Sequence, residues 1–232
     1  MFSRFLRTVD SKYEKCYLKG ALCLKCPRCA LFGAVSTKGG TDYNIKHRIE
    51  YSTAFSIERY EDLLESITFN AVSESSQLTG QALNLTHNVR PLANFPSVVT
   101  LTSVTWEELA LYLKTLLATK SYGAETRTKG DVRNVILGLA AGLEEVVTSL
   151  EYSLELAAVW DDTEDLSAAT EDILKKYSEL ASSRNDLVIL TADEVQQLVA
   201  DVQDLAVDED FVAAMQKQVD EFVKLAKRKE KE

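Results

Sequence analysis

Arg48-Ile49-Glu50-Tyr51-Ser52-Thr53-Ala54-Phe55-Ser56-Ile57 places apolar or β-branched residues at 49, 51, 53, 55 and 57 and lets polar or small ones fall between them. A period of two predicts a half-buried strand. Ile67 to Val72 and Pro96 to Val104 read the same way. Between them, Glu74 to Gly80 followed by Gln81 to Val89 has turn chemistry and few apolar anchors, which predicts a projecting hairpin built to reach something. One helix interrupts the strands: Thr105-Trp106-Glu107-Glu108 is a capping box, and Trp106, Leu109, Leu113, Leu116 and Leu117 follow at helical spacing up to Ala118. Val132 to Leu139 is again β-like, with Gly138 and Gly142 permitting a turn or a close approach. The fold class expected from this mixture is α+β, a sheet with helices on one face.

Beyond Glu144 the pattern is helical. Leu143 to Val159 comes first, then Asp165 to Ala181 with a stripe of Leu166, Ala169, Ile173, Tyr177 and Leu180. A short strand over Asp186 to Leu190 leads to a second capping box, Thr191-Ala192-Asp193-Glu194, whose helix aligns Val195, Leu198, Val199, Val202 and Leu205. The last helix opens on Asp208-Glu209-Asp210 and closes on Lys227-Arg228-Lys229, charges that suit its macrodipole. Three regions are expected: 1–46, loop-like and holding every cysteine; 47–142, mostly strands; and 143–232, helical.

The chain has 232 residues, 46% hydrophobic and 27% charged, which excludes disordered and low-complexity classes and supplies a core without disulfides. No apolar run reaches the ~18 to 20 residues of a membrane span, and Arg4 and Arg7 are followed by no apolar leader segment. A soluble, cytoplasmic protein without a membrane partner is expected. Net charge is −10, yet residues 1–142 hold 17 Lys+Arg against 13 Asp+Glu while 143–232 hold 9 against 23. Such asymmetry marks a localised polyanion-binding face. The acidic helices are solvated on their outer side or suit a basic partner protein.

All four cysteines fall within fourteen residues: Cys16, Cys23, Cys26 and Cys29. Pairs spaced by two residues wrap a metal through tight knuckles, and four sulfurs complete a tetrahedral shell. Zinc in a closed structural site is the first expectation, ordering a segment poor in apolar residues. An iron–sulfur cluster is the competitor, although the fourth cysteine three residues on, with its proline, is missing. His47 is a substitute ligand if Cys16 points away. Loss of Cys26 is expected to unfold 16–46 and to spare the carboxy-terminal helices. No nucleophile elbow, phosphate loop or dinucleotide fingerprint is present. Asp10, Asp42, Glu125 and Asp131 are isolated carboxylates able to meet Mg2+, and more often partners of nearby cations.

The string Gly20-Ala21-Leu22-Cys23-Leu24-Lys25-Cys26-Pro27-Arg28-Cys29-Ala30-Leu31-Phe32-Gly33, followed by Asn44-Ile45-Lys46-His47-Arg48, Phe69-Asn70-Ala71-Val72, Phe95-Pro96-Ser97-Val98-Val99-Thr100-Leu101 and Lys120-Ser121-Tyr122-Gly123-Ala124-Glu125-Thr126-Arg127-Thr128, resembles the backbone subunit of type I-D CRISPR interference complexes. The resemblance implies an RRM-like (ferredoxin-like) palm with a zinc-binding insertion, a projecting hairpin and a helical lobe. It further implies a chain lacking the family's amino-terminal segment. Implied partners are CRISPR RNA, the target DNA or RNA strand paired to it, other copies of the chain and other subunits of the complex.

A backbone subunit grips guide RNA without reading it, because base pairing reads the sequence. Lys120, Arg127, Lys129 and Arg133 lie in or beside a Gly-containing loop able to approach phosphates. Lys46, His47 and Arg48 enter the first strand, and Asn84, His87 and Arg90 sit near the base of the hairpin expected to splay a nucleotide. Two other classes stay open: a ruler-type nuclease subunit with a metal on Asp42 or Asp131, and a stand-alone zinc-knuckle nucleic-acid-binding fragment.

Overall fold

The protein is described from a computed structural model covering residues 5–6, 9–10, 16, 22–23, 25–36, 43–72, 79–122, 131–160, 165–181 and 184–229. Two compact units divide the chain discontinuously. The first comprises Met1–Glu50, Val99–Leu143 and Asp186–Glu232, and the second Tyr51–Val98 and Glu144–Asn185. The division cuts across the three consecutive regions expected from composition.

In the first unit, α1 (Pro27–Phe32) starts on Cys26 with proline at its first position, where a missing N–H costs nothing. β1 (Ala34–Ser36) and β2 (Tyr43–Ile45) pair antiparallel, Ala34 opposite Ile45. β3 (Ile49–Tyr51) pairs with β6 (Val99–Leu101). α3 (Trp106–Ala118) begins with the expected box: the Thr105 hydroxyl accepts from Glu108 N–H at 3.3 Å, and the Glu108 carboxylate accepts from Thr105 N–H at 3.1 Å. β7 (Gly138–Ala141) pairs antiparallel with β8 (Val188–Thr191), which runs into α6 (Ala192–Asp204). Gly142 lies so close to Leu187 that a Cβ would stand 2.3 Å from its Cδ2, so this glycine serves packing. α7 (Glu209–Lys229) is the last element, with Asp208 Oδ1 accepting from Phe211 N–H at 2.9 Å.

These pieces share one core. Cys16, Cys26, Cys29 and Leu31 are buried with Ile49, with Leu111 of α3, with Val202 of α6, and with Val212 and Met215 of α7. Gln216 Nε2 on α7 donates to the Lys25 carbonyl at 2.7 Å. The carboxy-terminal helices α6 and α7 therefore depend on the cysteine region, against the expectation that they are independent of it. The reason is packing: Met215 is fully buried in the same cluster as Cys29.

The second unit carries the long antiparallel pair β4 (Leu64–Val72) and β5 (Thr79–Val89), Leu64 opposite Val89, with an irregularity between Phe69 and Ala71. The short helix α2 (Tyr60–Leu63) precedes it. Residues 52–57 run extended beside 94–98, joined by Ser52 N–H to Val98 O, Phe55 N–H to Pro96 O and Ile57 N–H to Asn94 O at 3.1–3.4 Å. The helices here are α4 (Ser149–Val159), opened by a capping box of Thr148 and Glu151, and α5 (Leu166–Leu180), capped by Asp165.

Several expectations are corrected. Over 49–57 only Ile49 is buried, while Tyr51 and Phe55 are exposed, so the alternation is not that of a half-buried strand. The strand over 132–139 shrinks to Gly138–Ala141, and the helix over 143–159 starts at Ser149. Leu180, expected on the buried stripe of α5, is exposed; Thr170 and Leu174 are buried instead. Thr191 makes no side-chain cap, because it is still paired with Gly138 in β8. No sheet has more than two strands among the described residues.

Candidate metal centre and candidate nucleic-acid interface

Cys16, Cys23, Cys26 and Cys29 converge, and their sulfurs all lie within 4.8 Å of one another. Cys16 Sγ is 3.4 Å from Cys29 Sγ and 3.6 Å from Cys26 Sγ, far beyond a disulfide bond. A single tetrahedral ion with metal–sulfur bonds of about 2.3 Å needs sulfur edges of about 3.8 Å. The four sulfurs fit that edge, whereas a cluster of several irons would spread its thiolates wider.

Three of the four cysteines are buried and Cys23 is exposed. Cys26 and Cys29 side chains donate to the Cys23 sulfur and pull its thiol well below the usual range. The same hydrogen bond with Cys23, then Cys29 and burial, drive Cys26 far upward, and Cys23 and burial push Cys29 up to about 12. One thiolate forms readily while the next ones resist ionisation in the absence of a compensating cation. A divalent ion supplies that compensation.

Local backbone geometry explains how the knuckle closes. Arg48 N–H donates to the Leu31 carbonyl at 2.9 Å, laying residues 45–48 against the end of α1. Gly33 has φ 73°, and a Cβ there would stand 2.8 Å from His47 N and 2.9 Å from the Ile45 carbonyl oxygen. Only glycine combines that conformation with that approach. His47, considered as a substitute ligand, instead sits 3.5 Å from the Glu50 carboxylate, exposed, and the ligand set is all sulfur.

Arg48, expected on the RNA face, is turned inward. Its guanidinium makes a two-pronged pair with the Glu108 carboxylate, Nη1 to Oε2 at 3.0 Å and Nη2 to Oε1. Nε donates to the Ala30 carbonyl at 3.0 Å and Nη1 to the Ser103 carbonyl at 2.7 Å, and the group lies 5.0 Å from the Phe222 ring centre. It binds α1, the turn at Ser103, α3 and α7 together. Glu108, only 2% exposed, serves both this pair and the helix cap.

The remaining expected contacts divide by unit. In the first unit Lys46, Lys120 and Arg133 are exposed. Arg127, Lys129, Glu125 and Asp42 lie outside the described residues, as do the hairpin residues 74–78. The residues flanking 123–130, however, are tied together. Val132 N–H donates to the Lys120 carbonyl at 2.8 Å, and Asn134 Nδ2 donates to the Leu116 and Thr119 carbonyls at 2.8 and 2.9 Å. Asn134 Oδ1 accepts from the Tyr122 hydroxyl at 2.7 Å, and burial raises that phenol above its ordinary pKa. Asn134 was invisible to pattern reading, since one asparagine in an apolar run gives no periodic signal. In the second unit Asn84 lies on β5 opposite Phe69, His87 Nδ1 is 3.0 Å from Ser66 Oγ, and Arg90 is exposed with its N–H donating to the Leu63 carbonyl. Asp131 is exposed, and the cysteine set is the one group of three or more close metal-binding side chains among the described residues.

A model of the Csc2 CRISPR family matches residues 4–232. The chain belongs to the Csc2 CRISPR family. A crystal structure of Thermofilum pendens Csc2 is similar in fold at TM-score 0.50 and 23% identity, the match covering 95% of this chain and 69% of that chain. No curated protein matches. Membership in the Csc2 family ties the chain to CRISPR systems. No helix among the described residues is long and apolar enough to cross a membrane.

Proposed function

We propose that this Csc2-family chain is a cytoplasmic guide-RNA-binding backbone subunit of a type I-D interference complex, with an RRM-like palm and one structural zinc held by Cys16, Cys23, Cys26 and Cys29. Its partners are CRISPR RNA, the target strand paired to it, further copies of the chain and other subunits. Zinc is preferred because an all-sulfur set matching a single tetrahedral ion leaves no position open for substrate. The ion's role is to neutralise thiolates and hold α1 against the core.

The observation that carries the RNA reading is the pair of tied flanks of 123–130. Lys120 and Arg133 are exposed at the two ends of a segment rich in glycine and cations, and Val132 and Asn134 fix those ends. A cation on each of two flanks tied to one another can meet neighbouring phosphates and carries no base information. Arg127 and Lys129 between the flanks, Lys46 and His47 beside the knuckle, and Asn84, His87 and Arg90 on the β4–β5 pair are assigned supporting contacts. Arg48 is removed from the set, because its donors are engaged by Glu108, Ala30 and Ser103.

Purification of the chain from cells expressing its CRISPR locus, followed by RNA extraction, should recover guide RNAs of uniform length. Recovery of no RNA, or of RNA in proportion to its cellular abundance, would contradict the assignment. Asn134→Ala removes no charge but unties the flanks, each lost hydrogen bond costing about 1 kcal/mol. Its expected signature is weaker RNA binding at an unchanged salt slope, read by titration at several salt concentrations.

A further inference from the structure

Helix α4 is inverted relative to an ordinary surface helix. Its buried side holds Ser149, Tyr152, Ser153 and Leu156, while Leu150 and Leu154 are 52% and 62% exposed and Ala157 and Ala158 are exposed beside them. At 100° per residue these four outer residues form one ridge. An amphipathic helix facing only water would place leucines inward and serines outward.

The orientation is fixed by specific bonds, so the helix is not simply misrotated. Ser149 Oγ donates to the Thr53 carbonyl at 2.8 Å, Ser153 Oγ to the Pro96 carbonyl at 3.4 Å, and the Tyr152 and Thr170 hydroxyls are 2.7 Å apart. The serines pin the extended segments 52–57 and 94–98, and this commits the leucines to the outside. A contiguous apolar ridge of this kind marks an interaction surface.

Charge identifies the occupant. The unit that carries α4 holds 5 Lys+Arg against 16 Asp+Glu, a balance of −11. Two of those cations, Lys175 and Lys176, are already paired with Glu171 and Glu155. Glu151 flanks the ridge on α4 itself. Most of that excess lies in the segment of α4 and α5, where residues 144–185 hold 3 Lys+Arg against 11 Asp+Glu, a local field that repels polyanions and anionic lipid headgroups and attracts a cationic protein surface. We propose that the Leu150–Leu154 ridge of α4 docks a protein partner whose apolar contact surface is rimmed by lysine and arginine. The ridge shares no residue with the set assigned to RNA, so either assignment can fail alone.

The test uses the full metal-loaded chain and two synthetic helical peptides of about 18 residues, five turns, sharing a leucine stripe flanked by lysines in one and by glutamates in the other. The lysine peptide should bind and protect the amides of α4 from exchange; the glutamate peptide should not. The double change Leu150→Gln and Leu154→Gln should weaken the lysine peptide by about tenfold or more, leaving RNA affinity and the unfolding midpoint in place. Leu154→Arg, a second variant, should shift preference toward the glutamate peptide. Equal binding of both peptides, lysine-peptide binding indifferent to the leucines, capture of anionic phospholipid vesicles through the same leucines, or no peptide binding would overturn the proposal.

Discussion

Stripping the metal with a chelator, or replacing Cys26 with serine, is expected to melt α1, α3, α6 and α7 together while α4 and α5 keep their structure. The cysteines are buried in the same cluster as Leu111, Val202, Val212 and Met215, so loss of the ion opens the centre of the first unit and leaves the second unit's contacts in place. Structural zinc contributes about 10 to 16 kcal/mol in small zinc domains. That matches or exceeds the whole stability of a typical domain, about 5 to 15 kcal/mol. Hydrogen exchange resolved by peptide would show protection lost across 25–36, 106–118 and 192–222 and retained across 149–180. Loss confined to 16–36, with α7 still protected, would contradict the shared core. One equivalent of zinc should accompany the native chain; iron with visible absorbance would contradict the metal assignment.

Glu108→Ala is expected to destabilise the first unit by about 3 to 5 kcal/mol, since it strands a guanidinium with little access to water. Arg48 is 11% exposed and Glu108 2%, so solvent does little to screen the pair or to rescue a lone charge. Arg48→Met is expected to cost less than Glu108→Ala, because methionine fills the space beside Phe222, while Glu108 keeps its bond from Thr105 N–H. The double change Arg48→Met with Glu108→Leu should recover most of the loss, leaving the missing cap, about 1 kcal/mol. Unfolding free energies of Arg48→Met, Glu108→Leu and their double variant, each against the native chain, give the coupling. Single changes costing as little as a surface pair, under about 1 kcal/mol, would contradict the buried arrangement.

The cysteine set was legible because metal chemistry is local: C-x2-C spacing dictates which sulfurs can meet, and Cys16 joins them across six residues. The capping box at Thr105 was legible for the same reason, and the box at Thr148-x-x-Glu151 has the same signature and marks the true start of α4. Arg48 misled because a cation entering a strand looks the same whether it meets phosphate or a carboxylate sixty residues away. Its partner Glu108 lies on another element, and no local pattern links them. The inverted face of α4 was hidden likewise: Leu150 and Leu154 on one side and Tyr152 and Leu156 on the other are apolar at helical spacing, and only Thr53 and Pro96, distant in sequence, decide that the serines go inside. Thr191 failed as a cap because strand pairing with Gly138 outcompeted a local hydrogen bond.

The proposed role of the cations around residues 120–133 is to hold RNA phosphates without reading bases. Titrating the metal-loaded chain with two unrelated single-stranded RNAs over a range of salt concentrations tests it most directly. Affinity should fall steeply with salt, with a log–log slope of about −0.7 per phosphate contact. Arg133→Ala should remove about one contact's worth of slope and weaken both RNAs equally. A salt-independent affinity, an Arg133→Ala loss that differs between the two RNAs by the ~1 to 3 kcal/mol of a base-edge contact, or no binding to either would contradict it.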